Sequence, residues 1–218
     1  MTDDEQGLTP AAFHTRPGVE DWRVTSWGAQ ACFRAGSLAQ AAALVAPVVD
    51  AASRLGVAPD VDLRPEAVVV RIPHRDGLIP VAGAEAAAAV SVAARELGLR
   101  PDVDLVQTVD IYVAHHPDRD VEAFWEAALG YVPSGVDDAV DPLRRGPSLS
   151  FHPDMERTGR GRTHIDVSVP ADRAEARVAA ALAAGGRLVD DSYAPQWWTI
   201  ASPDNHGIDI AAWTDTHD

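Results

Sequence analysis

The chain has 218 residues, 46% of them apolar, which suffices for one large domain or two domains of about 100 residues each. Its net charge of −15 and the lack of any lysine argue against a nucleic-acid or anionic-membrane partner, because both demand clustered cations. The single cysteine, Cys32, excludes an intramolecular disulfide, and no apolar run reaches the roughly 18 residues of a spanning helix, so composition predicts a cytoplasmic protein.

The first half predicts a strand hairpin, a long helix, a buried strand and a second helix, after a polar, disordered segment at 1–12. Ser37 is the expected N-cap of the first helix, Pro47 kinks it and Gly56 ends it. The predicted bounds are 22–25 and 29–35 for the hairpin, 38–55 for the first helix, 67–72 for the strand and 81–97 for the second helix.

A pentapeptide, Pro-Asp-Val-Asp-Leu, occurs at 59–63 and again at 101–105, each time after a helix that ends in Leu-Gly. One short echo does not establish a repeat architecture. We interpret it as one helix-to-strand connector used twice. The second copy marks a linker at 99–106, which separates a domain at 13–98 from a domain at 107–213.

The second half predicts the same unit twice, a strand followed by a helix and three further strands. The first unit runs from a strand at 107–113 and a helix at 119–130 to a strand at 147–152. The second has strands at 163–169, 187–190, 196–201 and 207–212, with a helix at 171–184. This order favours an α+β fold, in which an antiparallel-rich sheet has its helices on one face.

Residues 13–98 resemble the pterin-4a-carbinolamine dehydratases, through the Trp22 hairpin, Ala58-Pro59-Asp60 and the strand that ends in Pro73-His74. The resemblance implies an antiparallel sheet with helices and three acid–base histidines. Two of these fall on Val57 and Ala58, which carry no proton, so only His74 is a candidate catalytic residue. We favour a structural role for His74 and keep dehydratase activity, or pterin binding without turnover, as the alternative function.

Residues 107–213 resemble the vicinal oxygen chelate superfamily, which includes glyoxalase I, extradiol dioxygenases and bleomycin-resistance proteins. The motifs that carry the resemblance are Phe124-Trp125 through Leu129-Gly130-Tyr131, Thr163-His164-Ile165-Asp166-Val167, and Ala201-Ser202-Pro203-Asp204-Asn205. It implies a half-barrel of paired modules, whose inner surface binds a small molecule. Homodimers are common in both families, so the resemblances also imply a homodimer.

The superfamily places metal ligands on four strands that face the half-barrel. Carried over by position, they fall on Asp110, His152, His164 and Asp209, with Ser150 as the alternative to His152. Strand alternation puts all of these on polar faces. Two imidazoles and two carboxylates suit Fe, Mn, Ni, Co or Zn without choosing among them, and a bound ion would support isomerase, lyase or dioxygenase chemistry.

A cavity that binds its ligand without metal stays open as the other interpretation, because resistance-type members of the superfamily bind ligands that way. Five further residues are candidates to contact the ligand. They are Tyr112, Ser150, Asp166, Trp197 and Trp198. Because adjacent strand residues point to opposite faces, one of the two tryptophans is expected in the core.

Overall fold

A computed structural model describes residues 7–74, 77–115, 122–153, 163–201 and 207–214, except the side chains of Phe124, Ala127, Ala128, Leu129, Thr163 and His164. The chain divides into two compact units. The first comprises residues 1–106 with 213–218, and the second comprises residues 107–212. Each unit has its own sheet, so the expected mixture of helices and antiparallel-rich sheet is present.

The first unit packs its helices on a five-stranded sheet with the order β1-β2-β4-β3, to which β5 adds beside β1 by pairing with β2. The strands are β1 (Arg23–Thr25), β2 (Gly28–Arg34), β3 (Asp60–Leu63), β4 (Ala67–Ile72) and β5 (Arg100–Pro101). The helices are α1 (Pro10–His14), α2 (Leu38–Ala42), α3 (Val45–Leu55) and α4 (Val81–Glu96). The predicted hairpin, buried strand and second helix are thus confirmed to within a residue or two.

The long helix predicted at 38–55 is instead two helices, α2 and α3, separated at Ala43 and Leu44. Ser37 caps α2 by accepting a hydrogen bond from the Gln40 amide, and Gly56 ends α3 in the left-handed conformation, as expected. Pro47 lies in the first turn of α3. Its ring excludes the carbonyl of Ala43, four residues earlier, from a helical hydrogen bond. The break therefore falls one turn before the proline.

The same stretch corrects the expectation that no apolar run is long enough to span a membrane. Leu38–Leu55 has 18 residues and a mean hydropathy of 1.3, and 22% of it is buried. It meets the requirement by length and composition alone, which core helices of soluble proteins also do. Its inner residues Leu44, Val48 and Ala51 pack into the core of the first unit.

Residues 7–12 are ordered, contrary to the disordered segment expected at 1–12. Leu8 is buried and exchanges both backbone hydrogen bonds with Ile79. Thr9 caps α1 by accepting a hydrogen bond from Ala12, and Pro10 is the first helical residue. A cap residue followed by proline is a helix-start signal that the sequence does contain.

The two copies of the pentapeptide adopt different structures, so they are not one connector used twice. The first copy forms the edge strand β3, paired with β4. The second contributes its proline to β5 and then forms a 3-10 turn at Val103–Leu105, which Asp102 caps. The segment at 99–106, expected as a linker, packs on the first unit through Leu99 and Val106.

The second unit is an eight-stranded sheet with the order β11-β12-β13-β10-β6-β9-β8-β7. The strands are β6 (Thr108–Ala114), β7 (Val132–Pro133), β8 (Asp138–Val140), β9 (Ser148–His152), β10 (Thr163–Val169), β11 (Arg187–Asp190), β12 (Trp197–Ala201) and β13 (Gly207–Ala212). The helices are α5 (Glu122–Leu129) and α6 (Ala174–Ala183). Each helix follows the first strand of its half, so the predicted paired β-α-β-β-β order is confirmed.

One face of this sheet is apolar and carries the helices. Around α5, Trp125 packs near Val113, Leu149 and Phe151. Around α6, Val178 packs with a second cluster of strand residues, namely Val169, Ile200, Ile210 and Ala212. Because side chains alternate along a strand, the neighbouring residues of these strands point to the other face. We call that other face the polar face.

Candidate ligand-binding face of the second unit

The polar face of the second unit collects hydroxyl, carboxylate and aromatic side chains from six strands. Its central strands β6 and β10 are antiparallel, and each has a parallel neighbour, β9 and β13 respectively. The outer strands β8 and β12 extend the face on either side. The candidate functional residues that alternation and register assign to it are Asp110, Tyr112, Asp138, Ser148, Ser150, His152, Asp166, Trp197 and Asp209.

A row of carboxylates crosses the middle of the face. Asp110 lies directly opposite Asp166, and Asp166 lies beside Asp209 in the register of the next strand. Neighbouring strands are about 4.8 Å apart, so like charges at these positions repel one another. Asp110 is only 8% exposed and accepts a hydrogen bond from the Ser148 hydroxyl, and the Oδ1 atom of Asp166 is buried.

A fourth carboxylate, Asp138, stands on β8 at the edge of this row. It pairs in register with Ser150 and accepts a hydrogen bond from that hydroxyl. Partial burial of the carboxyl group raises the pKa of Asp138, and the nearby Asp110 carboxylate raises it further. The Ser150 hydrogen bond and the neighbouring His152 ring act in the opposite direction.

Tyr112 occupies the centre of the face, where all four carboxylates influence it. Its ring stacks on His152 with the ring centroids 4.8 Å apart and the planes 21° from parallel. Burial raises the pKa of the Tyr112 phenol, and the charges of Asp166, Asp110, Asp138 and Asp209 add to that rise. The phenol therefore stays protonated and keeps its hydrogen-bond donor.

The two adjacent tryptophans of β12 point to opposite faces of the sheet, as expected. Trp198 packs with the cluster around α6, on the apolar side of the sheet. Trp197 lies on the polar face beside Ala211, and its ring stacks on Tyr193 with centroids 4.2 Å apart and planes 14° from parallel. Tyr193 is 54% exposed, so this aromatic pair borders open solvent.

The four predicted metal ligands do not lie at one level of the sheet. Asp110 and Asp209 belong to one row. The backbone of His164 lies opposite Tyr112, two residues along β10 from that row. His152 is four residues beyond Ser148, the partner of Asp110, which is roughly 13 Å along the strand. That offset is too large for His152 to share an ion with Asp110.

The position of the His164 side chain lies outside what the structure describes. Among the His, Cys, Asp and Glu side chains that it does describe, no three lie close enough together to hold one metal ion. The four-ligand set does not fit this sheet as a single centre, because its fourth-strand member is displaced. Ser150, the alternative at that strand, is instead the hydrogen-bond donor to Asp138.

His74, the candidate catalytic residue of the first unit, is held by the backbone. Its Nδ1 atom accepts a hydrogen bond from the Gly77 amide at 3.1 Å, so Nε2 carries the proton and donates it to the Ser26 carbonyl at 2.6 Å. The ring also stacks on Trp213, with centroids 6.4 Å apart. Both nitrogens are thus used locally, as a structural role requires.

An apolar groove lies where the dehydratase resemblance places the paired histidines. Val57 and Ala58 line it, and its volume is about 260 Å³. The other lining residues are Val48, Val49, Ala52, Ser53, Pro59 and Val61. None of these side chains can act as an acid or base near neutral pH, which agrees with the loss of chemistry inferred from the sequence.

Two residues of the polar face are absent from the predicted site, Asp138 and Ser148. Asp138 begins a three-residue strand with a weak sequence signal, so its face is not readable before the register is known. Ser148 does share a face with Ser150 by strand alternation, and that signal is sufficient to find it. Strand alternation does not identify the partner strand, and it is the pairing of β9 with β6 that places Ser148 next to Asp110.

Comparison with known protein families agrees with this part of the fold. Residues 108–211 match the family model of a glyoxalase-like domain. The match spans β6 to β13, that is, both modules of the second unit, and it supports the vicinal oxygen chelate resemblance there. No curated protein matches the chain. The resemblance of residues 13–98 to pterin dehydratases gains no support from these comparisons.

Proposed function

We propose that the glyoxalase-like unit is a small-molecule-binding domain whose ligand lies on the polar face. The observation that carries this proposal is the division of the sheet. Both helices cover one face, and the other collects four carboxylates, two serines and the rings of Tyr112, His152 and Trp197 from six strands. Function in such folds resides in the residues of the site and not in the fold itself, so these side chains define what can be bound.

The face offers both hydrogen-bond acceptors and a donor to a ligand. Asp110, Asp166 and Asp209 provide acceptor oxygens along one row. The protonated phenol of Tyr112, two residues along β6 from Asp110, is a hydrogen-bond donor. Trp197 adds a flat apolar surface at one side of the face, of the kind that packs against planar molecules. This combination suits binding and orientation of a ligand with several polar groups.

Among the features of the superfamily's chemistry, a bound divalent metal has the least support from the geometry of this sheet. With His152 displaced, the remaining candidates are Asp110, His164 and Asp209. Metal content is measured by mass spectrometry on the purified chain, before and after chelation, and on an Asp110→Ala/His164→Ala variant. Stoichiometric metal that the variant loses would favour a metal-dependent lyase, isomerase or dioxygenase over a binding protein.

The proposal is tested by locating a bound molecule. We would screen small molecules by thermal shift and map the hits by amide chemical-shift perturbation on the intact chain. The expected perturbations cluster on β6, β10 and β13 around Asp110, Asp166 and Asp209, and they weaken in a Tyr112→Phe/Trp197→Leu variant. Hits that perturb only the groove around Val57 would contradict the proposal.

The alternative function, a non-catalytic pterin binder in the first unit, is favoured only by the apolar groove at Val57 and Ala58. Turnover of 4a-hydroxytetrahydrobiopterin is disfavoured because both nitrogens of His74 bond to the backbone. Titration with a reduced pterin distinguishes the two sites. Shifts confined to α3 and β3 would support the alternative, and their absence would remove it.

A further inference from the structure

We propose that the outer edge of β3 is an interface at which two copies of this chain pair, strand to strand and antiparallel. The inference concerns the first unit and goes beyond the small-molecule binding proposed for the second. Three observations carry it: the open edge of β3, the prolines at its two ends, and the pattern of apolar and charged side chains along it.

The outer edge of β3 is open to solvent. β3 ends the strand order of its sheet, and no strand in the described part of the chain pairs with its outer side. Three of its four residues are exposed, among them Val61 (37%) and Leu63 (36%). An exposed edge strand presents backbone donors and acceptors with which another chain can pair.

The other outer strands are shortened or irregular, which are common ways of blocking such pairing. In the second unit, β7 has two residues, one of them Pro133, and β11 carries an irregularity between Leu188 and Asp190. In the first unit, β1 has three residues. β3 instead pairs regularly with β4 over its whole length. Of the outer strands described, β3 is therefore the one best suited to accept a second strand.

The hairpin of β3 and β4 shows which backbone groups point outward. Arg64 and Ala67 exchange both of their backbone hydrogen bonds, at 2.8 and 3.4 Å. In an antiparallel ladder such pairs alternate with pairs that are not bonded to each other. Asp60 and Asp62 therefore bond inward to β4, whereas residues 61 and 63 direct their N–H and C=O groups outward.

Pro59 and Pro65 restrict how a second β3 can align. Antiparallel strands exchange hydrogen bonds where outward-facing residues lie opposite each other. A two-fold axis at Asp62 achieves this, because it sets Val61 of each copy opposite Leu63 of the other. An axis at the next residue on either side would set Pro59 or Pro65 opposite an outward-facing residue, and proline has no N–H to donate. An axis between two residues would set outward-facing groups opposite inward-facing ones.

The axis at Asp62 also matches apolar with apolar side chains. Opposed residues of a ladder lie on the same face, so Val61 and Leu63 of both copies form one apolar cluster. On each copy the cluster continues into the groove beside α3, because Val61 lines that groove together with Val49 and Val57. Val49 is 53% exposed. Pairing therefore removes contiguous apolar surface from water.

The charged side chains of β3 lie on the other face and are self-complementary. Asp62 binds Arg64 at 2.9 Å, and Asp60 binds Arg71 at 2.9 Å, so each aspartate has an arginine beside it. The axis sets Asp60 of each copy opposite Arg64 of the other, which is a favourable cross-strand pair. It also sets Asp62 opposite its own symmetry mate, which is unfavourable.

Sedimentation equilibrium of the intact chain measures the association, and we expect a concentration-dependent dimer. Leu63→Lys should raise the dissociation constant at least about tenfold, because it places a charge in the apolar cluster. The matched control is Leu188→Lys, at a leucine of the edge strand β11 that is 39% exposed, and it should leave the constant unchanged. Asp62→Asn should lower the constant, because it removes the like-charge pair at the axis.

Cysteine cross-linking tests the alignment. Residues that face each other across such an axis have Cα atoms about 4.5 Å apart, within the range of a disulfide. Asp62→Cys should therefore form a covalent dimer with oxidised glutathione. Arg64→Cys should not, because residue 64 lies four residues along the ladder from its symmetry mate, about 13 Å away. The wild type gives the background, since Cys32 is buried.

A wild type that stays monomeric at every concentration would overturn the proposal. So would a dimer that Leu188→Lys dissociates and Leu63→Lys does not, or a covalent dimer of Arg64→Cys in place of Asp62→Cys. Circular dichroism spectra establish that each variant is folded. Asp62 is exposed, so the cross-linking test still decides if Leu63→Lys does not fold. None of these results depends on a ligand, so the proposed function of the second unit is tested separately.

Discussion

Asp110 shows how a single side chain of the polar face depends on its surroundings. It is nearly buried, lies opposite another carboxylate and accepts a hydrogen bond from Ser148. A buried charge is costly unless hydrogen bonds satisfy it, and removal of one partner leaves part of that cost uncovered. Ser148 therefore stabilises the fold in addition to forming part of the polar face.

Replacement of Ser148 by alanine should lower the free energy of unfolding by about 1–3 kcal/mol, because the Asp110 carboxylate loses a hydrogen bond inside the protein. Urea denaturation measures the change. The matched control is Ser150→Ala, whose partner Asp138 is less buried than Asp110, and it should cost less. An equal or larger loss in the control would show that burial of Asp110 is not the cause.

The raised pKa of Asp138 predicts that the free energy of unfolding depends on pH. Its pKa in the folded protein is raised above the ordinary value of 3.8, so the folded state binds the proton more tightly than the unfolded state. The stabilisation from the protonated form is complete below pH 3.8 and is lost as the pH rises through the raised pKa. Asp138→Asn should therefore stabilise the protein near neutral pH.

The same substitution should have little effect below pH 3.8, where Asp138 is neutral in both states. Denaturation curves of wild type and Asp138→Asn across this range give the comparison, with Asp172→Asn as the control for general charge. A variant that is less stable than wild type at neutral pH would contradict the expected direction of the effect.

Some helices and strands are set by the local sequence, and others are set by the strands with which they pair. The break between α2 and α3 is local, because Pro47 removes one backbone donor and its ring displaces the carbonyl of Ala43. The two Pro-Asp-Val-Asp-Leu copies have the same local preferences but different neighbours. One copy pairs with the edge of β4 as the strand β3. The other pairs with the end of β2 through its proline and then forms a turn.

Pro47→Ala should join α2 and α3 into one helix, since an alanine at this position restores the missing amide donor toward Ala43. Carbon chemical shifts of residues 42–46 should become helical, and far-ultraviolet circular dichroism should strengthen slightly. Gly56→Ala is the contrasting variant. Its left-handed backbone (φ 66°) disfavours a side chain, so this change should destabilise by about 1 kcal/mol without altering the break.

At the scale of the whole molecule, the chain enters the second unit at residue 107 and leaves it at 212, and Trp213 belongs again to the first unit. Trp213 packs against the core of that unit and stacks on His74. Residues distant in sequence thus complete the same core. The boundary of a structural unit is therefore set by packing as well as by the order of the elements.

Trp213→Ala should destabilise the first unit by about 1–3 kcal/mol, because a half-buried aromatic ring is lost from its core. Hydrogen exchange of the β2 and β4 amides should quicken accordingly. Trp213→Phe keeps an aromatic ring against His74 and should retain most of the protection. Unchanged exchange in the alanine variant would show that the terminal contact contributes nothing to the unit.

The sequence by itself determined the paired β-α-β-β-β order of the second unit and the polar face on which Asp110, Asp166 and Asp209 lie. Both follow from alternation and helix periodicity, which are local properties of the chain. It also determined that one tryptophan of Trp197 and Trp198 would be in the core, although not which one.

Only the tertiary structure decided which polar residues meet. Register between strands distant in sequence sets Asp110 beside Ser148, brings Asp138 to Ser150 and displaces His152 from the carboxylate row. A shift of two residues in any of these pairings would keep the same faces and change every neighbour, so alternation carries no information about it. The packing of α6 likewise decided that Trp198 lies on the apolar side and Trp197 on the polar face.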